Sequence, residues 1–232
     1  RASGCAEPCG FAKGSPTASG PVVMNAPAPV RPHDLLWGLS VAALPADAPA
    51  WVFDVIQQGH PVVVRRAQVA AGRIAVGVRG RVREQRFATQ MLSADITRRV
   101  MPEQLTDVCA APGDGPALSA LRQIHGLMNA LQLPWGVTGG AGFQLATGIP
   151  VLHQDSDLDL ILRAPEFFAR ERAARLSDVL AAADCRIDLQ LQTPSGAVAL
   201  REWAGSSRQV LLKADDGARL VSNPWLPEER AA

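Results

Sequence analysis

Asp155-Ser156-Asp157-Leu158-Asp159-Leu160-Ile161-Leu162-Arg163 is an apolar run that carries closely spaced carboxylates. Its bulk predicts a buried strand. On a strand, residues i and i+2 point to the same face. Asp157 and Asp159 are therefore expected side by side, with Leu158, Leu160 and Leu162 turned into the core. Like charges this close repel unless a cation sits between them. Where phosphoryl groups are displaced in line, that cation is commonly a pair of Mg²⁺ ions roughly 4 Å apart. Asp157 and Asp159 are accordingly the candidate metal ligands and catalytic carboxylates, and Mg²⁺ the expected cofactor.

Working outward, the dipeptide Gly139-Gly140 follows the short apolar segment Trp135-Gly136-Val137. Glycines in such a turn let a backbone approach phosphates closely. Downstream, Arg186-Ile187-Asp188-Leu189-Gln190-Leu191 reads as a second alternating strand with one central carboxylate, Asp188. A Gly-Gly turn, an Asp-x-Asp strand and a later Asp strand, in that order, form one constellation. It resembles the nucleotidyltransferase superfamily, with its polymerase-β-like fold. That resemblance implies that the glycines hold a triphosphate and the carboxylates hold metal. Many members carry Gly-Ser where this chain has Gly139-Gly140, so a hydroxyl contact to phosphate is missing at that point. The segment from Ala141 to Ser156, between turn and strand, is also long.

The chain has 232 residues, enough for one or two domains and a sizeable core. Nearly half are apolar (47%), but no apolar run is long enough to span a bilayer, which leads us to expect a soluble, cytoplasmic protein without a membrane partner. The net charge of +1 gives no strong overall field. Only Lys13 and Lys213 are lysines, so nearly all positive charge is Arg, whose fork matches phosphate bidentately. Base composition alone can enrich a chain in Arg and Ala, so only the placement of Arg argues function. Of the four cysteines, Cys5 and Cys9 have metal-like spacing without a second pair or a nearby His, which argues against zinc. Cys109 and Cys185 are scattered, as suits a reducing compartment. Residues 1–23 are rich in Gly, Ala, Ser and Pro, lack the apolar stretch of a signal peptide, and precede Met24, which reads as an ordinary translation start. The expectation is a tail over 1–30, of which 1–23 is either disordered or a product of start-site choice.

Residues 31–101 are expected to form a smaller, basic α+β domain, 102–117 a linker rich in Pro, Gly and Asp, and 118–232 the catalytic domain. Arg31-Pro32-His33-Asp34-Leu35-Leu36-Trp37 reads as the start of a short helix or turn. Trp51–Ile56 reads as a helix, Pro61–Arg66 and Arg73–Val78 as strands, and Phe87–Met91 as the start of a helical stretch. The apolar spacing of Leu118, Leu121, Ile124, Leu127, Met128 and Leu131 predicts a helix. Trp135–Thr138 reads as a strand, and Ala141–Thr147 as a short helix ending at Gly148. Pro165 suits the first residue of a helix running to about Asp184. Ala197–Trp203 is ambiguous between strand and helix, and Gln209–Lys213 reads as a strand. Alternating strands and helices from Trp135 onward predict an α/β (α+β) fold with a mixed sheet and packed helices.

Arg79, Arg81, Arg83 and Arg86 fall within eight residues beside Gly77 and Gly80, with Arg65 and Arg66 a strand away. Such a run is either a solvated face or a polyanion contact. The few aromatics among these residues and the near-neutral charge argue against nucleic acid as partner. Gly142–Gly148, leading through Val151-Leu152-His153 to the Asp157 strand, is one motif. Ile74–Gly80, leading to Arg83-Glu84-Gln85-Arg86-Phe87-Ala88, is another. Together with Arg31–Trp37 they closely resemble the malonate decarboxylase holo-acyl-carrier-protein synthase family, the phosphoribosyl-dephospho-CoA transferases, over about Arg31 to Leu226.

The resemblance implies a donor, 2′-(5″-triphosphoribosyl)-3′-dephospho-CoA, and an acceptor, a serine of the malonate decarboxylase acyl carrier protein. It also implies diphosphate as leaving group and Asp157 and Asp159 as the catalytic aspartates. Asp188 then either completes the metal site or acts as base, and His153 serves equally well as a strand-edge or a catalytic residue. Gly139 and Gly140, with Arg79 and Arg83, are the candidate contacts to donor phosphates. This requires the first domain to lie across a cleft from the Asp157 strand. Two other readings stay open: a nucleotidyltransferase moving a nucleoside monophosphate from a common triphosphate, and a non-catalytic nucleotide-binding module. Which donor is consumed separates the first of these. The pair Asp157 and Asp159 argues against the second.

Overall fold

A computed structural model describes residues 29–82, 84–107 and 115–226. Arg83 of the expected donor contacts, the expected tail up to residue 28, and Cys5, Cys9 and Cys109 lie outside them. Cys185 is a free thiol. No helix among the described residues is long and apolar enough to cross a membrane.

The first half contains β1 (Leu35–Trp37), α1 (Ala50–Gln57), β2 (Val62–Val64), β3 (Arg73–Arg79), β4 (Arg86–Leu92) and β5 (Arg98–Val100). Its strands form one antiparallel sheet in the order β4-β3-β2-β1-β5. Val52 and Ile56 of α1 pack with Leu36, Val62, Val76 and Met91 in its core. Two expectations are corrected here. Leu35–Trp37 is the start of neither a helix nor a turn but a strand between β2 and β5. The turn is confined to Pro32 and His33, and His33 takes a left-handed φ of 76°. The stretch from Phe87 to Met91 is likewise a strand, not the start of a helix. Met91 is buried and Phe87 and Thr89 half-buried, while Arg86, Ala88, Gln90 and Leu92 are exposed, the period-two burial of a strand that uses one face. Its full-length ladder with β3 overrides whatever local helical preference the segment has.

The second half contains α2 (Pro116–Ala130), β6 (Trp135–Val137), α3 (Gly139–Thr147), β7 (Leu158–Arg163), α4 (Arg170–Leu180), β8 (Ile187–Thr193), β9 (Gly196–Ala199), α5 (Leu200–Ala204), β10 (Val210–Ala214) and β11 (Gly217–Val221). Its mixed sheet runs β11-β10-β9-β8-β7-β6, and only β7 and β8, joined across α4, are parallel. Leu118, Leu121, Ile124 and Met128 form the buried stripe of α2, and α4 adds Ala173, Leu176 and Leu180. This is the α/β architecture with packed helices that the sequence predicts. Pro165 does not begin α4. The chain bends at Pro165 and Glu166 and enters the helix only after Ala169, because Phe168 turns inward, buried, where its carbonyl accepts the Trp203 indole N–H at 2.6 Å. The helix also ends at Leu180 rather than near Asp184. The ambiguous segment resolves into β9 followed by α5, and β11, not anticipated, closes a hairpin on β10.

Burial along β7 follows the expected alternation and exceeds it. Leu158, Leu160 and Leu162 are buried, and so are Ile161 and Arg163. A strand covered on both faces reads as a continuous apolar run. Arg163 donates from Nε to Glu103 Oε1 at 2.6 Å. Glu103 belongs to a 3-10 turn, Pro102–Leu105, that lies on β6 so closely that a Cβ at Gly136 would overlap the Pro102 carbonyl.

Candidate active site

The register of β6 on β7 builds the floor of the site. Val137 pairs with Leu160, and the next residue, Thr138, donates its backbone N–H to the Asp159 carbonyl at 2.9 Å. α3 therefore begins beside Asp159. The Gly-Gly pair is not a free turn but the first two residues of this helix. Gly139 has φ +59°, and a Cβ there would collide with the Asp159 carboxylate. The left-handed backbone and the lack of space both demand glycine. The helix starts two residues earlier than its apolar residues suggest and ends at Gly148 as expected, with φ 74°. Its N-terminal N–H groups and dipole favour an anion at this point.

Asp157 comes just before β7 rather than within it, and still lines the same cleft as Asp159. The preceding loop is held by Gln144 of α3, whose Oε1 accepts the Val151 and Leu152 N–H groups at 2.9 and 3.1 Å. A tight turn follows, in which Ser156 Oγ accepts the His153 N–H at 2.8 Å. In the parallel pair, Asp159 stands directly opposite Asp188. Burial, then the neighbouring charges of Asp188 and Asp157, push the Asp159 carboxyl above the ordinary carboxylate range. Asp188 is partly neutralised by Arg186, at 3.1 Å. Among the described residues, no group of three or more His, Cys, Asp or Glu side chains could hold a metal ion unaided.

The first half closes the cleft from the other side. Arg79, at the end of β3, reaches α3: its nearest guanidinium nitrogen would sit 3.5 Å from a Cβ at Gly140, and its Cζ lies 5.7 Å from the Phe143 ring centroid. Arg79 is paired across the ladder with Arg86. Like charges directly opposite are unfavourable. Here both guanidinium groups act to lower the Asp159 pKa, so cations and carboxylates face one another across the gap. Burial, and then Arg86, push the Arg79 guanidinium below its ordinary value.

The cleft between the halves has a volume of about 880 Å³. Asp157, Asp159, Asp188, Gly139, Gly140 and Arg79 all line it, and so does His153. Every expected site residue among those described thus meets in one place. Thr138 was not singled out by the sequence reading, and Arg86 was named there only as one of the arginine run; both line the cleft. Thr138 is the N-cap of α3, but its side chain does not bond the helix, so it offers a hydroxyl one residue ahead of the glycines. A Thr directly before a Gly-Gly pair was the available signal.

The chain matches two family models. Residues 31–102 match the phosphoribosyl-dephospho-CoA transferase MdcG N-terminal domain, and residues 104–224 the corresponding C-terminal domain. Among curated proteins named phosphoribosyl-dephospho-CoA transferase, it is 57% identical to one from Pseudomonas putida GB-1, over 90% of this chain and 100% of that protein. It is 58% identical to one from Pseudomonas syringae pv. tomato, over 84% of this chain and 93% of that protein. With one from Pseudomonas aeruginosa it shares 54% identity over the same proportions, 84% and 93%. No solved structure matches the chain.

Proposed function

The chain belongs to the phosphoribosyl-dephospho-CoA transferase family, and from that premise we propose that it transfers the phosphoribosyl-dephospho-CoA group from 2′-(5″-triphosphoribosyl)-3′-dephospho-CoA to a serine of the apo acyl carrier protein of malonate decarboxylase, releasing diphosphate. The same reading sets the reaction in the cytoplasm. The observation that carries it is the opposition of Arg79 and Arg86 to Asp157 and Asp159 across one cleft, over the N-terminus of α3.

In this reading, the α3 N-terminus and the Thr138 hydroxyl receive the triphosphate end of the donor. Gly139 lets those phosphates approach the backbone beside Asp159. Arg79 and Arg86 neutralise the donor's oxygens from the opposite wall, which also relieves their mutual repulsion. A phosphate held between the walls leaves its far side open to the carrier serine. Asp188, beside Asp159 and partly balanced by Arg186, is placed to take the serine proton. This is positioning and charge stabilisation rather than covalent catalysis.

Mg²⁺ fits the donor set. It commonly takes one or two carboxylates plus substrate phosphates rather than a full protein cage, and Asp159 is a half-buried carboxylate whose neighbours make its charge unfavourable without a cation. Asp157 and Asp159 would hold it. When bound, the ion would stabilise charge on the departing diphosphate and make the serine hydroxyl more acidic.

The deciding experiment is mass spectrometry of the apo carrier protein incubated with this chain, Mg²⁺ and either the triphosphoribosyl donor or a common nucleoside triphosphate. A mass gain equal to phosphoribosyl-dephospho-CoA, with stoichiometric diphosphate, is expected only with the former. Addition of a nucleoside monophosphate instead would overturn the reading in favour of a more general nucleotidyltransferase.

A further inference from the structure

A smaller recess of about 280 Å³ opens beside the main cleft and shares Arg79, Arg81, Phe143 and Val151 with it. One wall is a single face of α1 and its cap: Trp51, Asp54, Val55 and Gln58 follow the three- and four-residue spacing that brings helix side chains together. His60 and Phe143 form the other side, their rings edge to face with centroids 6.3 Å apart. Burial, and then the charge of Arg81, push the His60 imidazole below its ordinary value, so it is neutral at neutral pH. The recess therefore combines three flat rings, the Asp54 carboxylate and the amides of Gln58 and Gln85, and its two arginines, Arg79 and Arg81, are ones it shares with the main cleft.

That chemistry selects among the parts of a nucleotide-like ligand. A second phosphate inside would face Asp54. A flexible polar arm would gain little from three rings. A flat heteroaromatic base with an exocyclic amino group uses both features: rings to pack on, and Asp54 and Gln58 to accept its N–H groups. We propose that this recess binds the adenine ring of the donor, with Arg79 and Arg81, which line both cavities, holding donor phosphates where the recess meets the main cleft. This rests on the donor reading above. In that donor, adenine and triphosphate hang on two directly linked riboses, which requires their sites to adjoin. The shared wall of Arg79 and Phe143 meets that requirement.

The test measures calorimetric binding of three probes to the whole chain: 3′-dephospho-CoA, 4′-phosphopantetheine and inorganic tripolyphosphate with Mg²⁺. The variants are Asp54→Ala, at an exposed position that should not affect folding, and Trp51→Leu. Each is expected to weaken 3′-dephospho-CoA about tenfold and leave the other two probes unchanged. Three results would overturn the proposal. These are unchanged 3′-dephospho-CoA binding in both variants, no 3′-dephospho-CoA binding to the unaltered chain, and equal loss for 4′-phosphopantetheine. The last would put the pantetheine arm in the recess. The donor reading fails separately, when the unaltered chain does not consume the triphosphoribosyl donor. Selective loss of 3′-dephospho-CoA in the variants would still establish the adenine site in that case.

Discussion

Asp159 and Asp188 are direct cross-strand neighbours in the one parallel pair of the second sheet, β7 on β8. Two carboxylates in that position, with Asp157 close by, are unfavourable to folding and useful for binding cations. A site that lowers stability in this way has a distinctive response to mutation.

Asp157→Asn and Asp159→Asn are expected to lower turnover by at least about 10²-fold. They should leave the melting temperature unchanged or, for Asp159, raise it, because a half-buried charge among like charges is removed. Steady-state kinetics and calorimetric melting check this together. Near-normal turnover in either variant would discard the metal assignment.

Arg79→Ala is expected to raise the apparent donor constant about tenfold or more, since a hydrogen bond to a charged group contributes about 1.5–3 kcal/mol. Stability should change little, because the Arg79 guanidinium makes no ion pair among the described residues and faces Arg86. Lost stability with unchanged donor affinity would make this arginine a structural residue.

Gly139→Ala is expected to damage both fold and activity. A left-handed backbone costs a non-glycine residue roughly 1–2 kcal/mol, and the new methyl group would displace the Asp159 carboxylate. In a chain of this size, about 2–4 °C of melting temperature is lost per kcal/mol. An unchanged melting curve would contradict the φ of +59° at this residue.

His33 makes stability depend on pH. Burial, and then Arg66, Arg163 and Lys213, lower its pKa from 6.5 to about 3. Its ring accepts from the Arg66 guanidinium at 3.0 Å. A base with a depressed folded pKa takes up its proton more readily when unfolded. Its contribution is present above pH 6.5 and is lost as pH falls from there toward about 3. The slope starts at half of its limit of about 1.4 kcal/mol per pH unit at pH 6.5 and approaches that limit below it, so roughly 1.6 kcal/mol should disappear between pH 6.5 and 5. Urea unfolding at both pH values measures it. His33→Asn, which tolerates the left-handed backbone, should shrink that difference. An equal difference in the variant would assign the acid sensitivity elsewhere.

Glu103→Ala is expected to cost about 3 kcal/mol, because it leaves the buried Arg163 guanidinium without its carboxylate. The denaturant midpoint reads the loss directly. A shift within about 0.5 kcal/mol would mean the pair adds nothing to stability.

Local periodicity alone determined much of this protein. The apolar stripe of α2, the run of β7, the alternation of β8 and the glycine that ends α3 are each written within a few adjacent residues, and each was legible there. Asp157 and Asp159 were singled out by the same local spacing, although Asp157 precedes the strand and reaches the cleft from its loop. The tertiary structure decided whatever depends on a distant partner. Phe87–Met91 is a strand because β3 lies beside it, and Leu35–Trp37 because β2 and β5 flank it. Neither segment is long enough to declare a period of its own. The start of α4 was set by Phe168 finding a place in the core, which no capping residue announces. Above all, the sequence offered Arg79 only as one member of a basic run. Its position over Gly140 and Phe143, facing Asp159, follows from the end of β3 meeting α3 of the second half. Charges far apart in the chain interact only once the fold has brought them within reach and taken the water from between them.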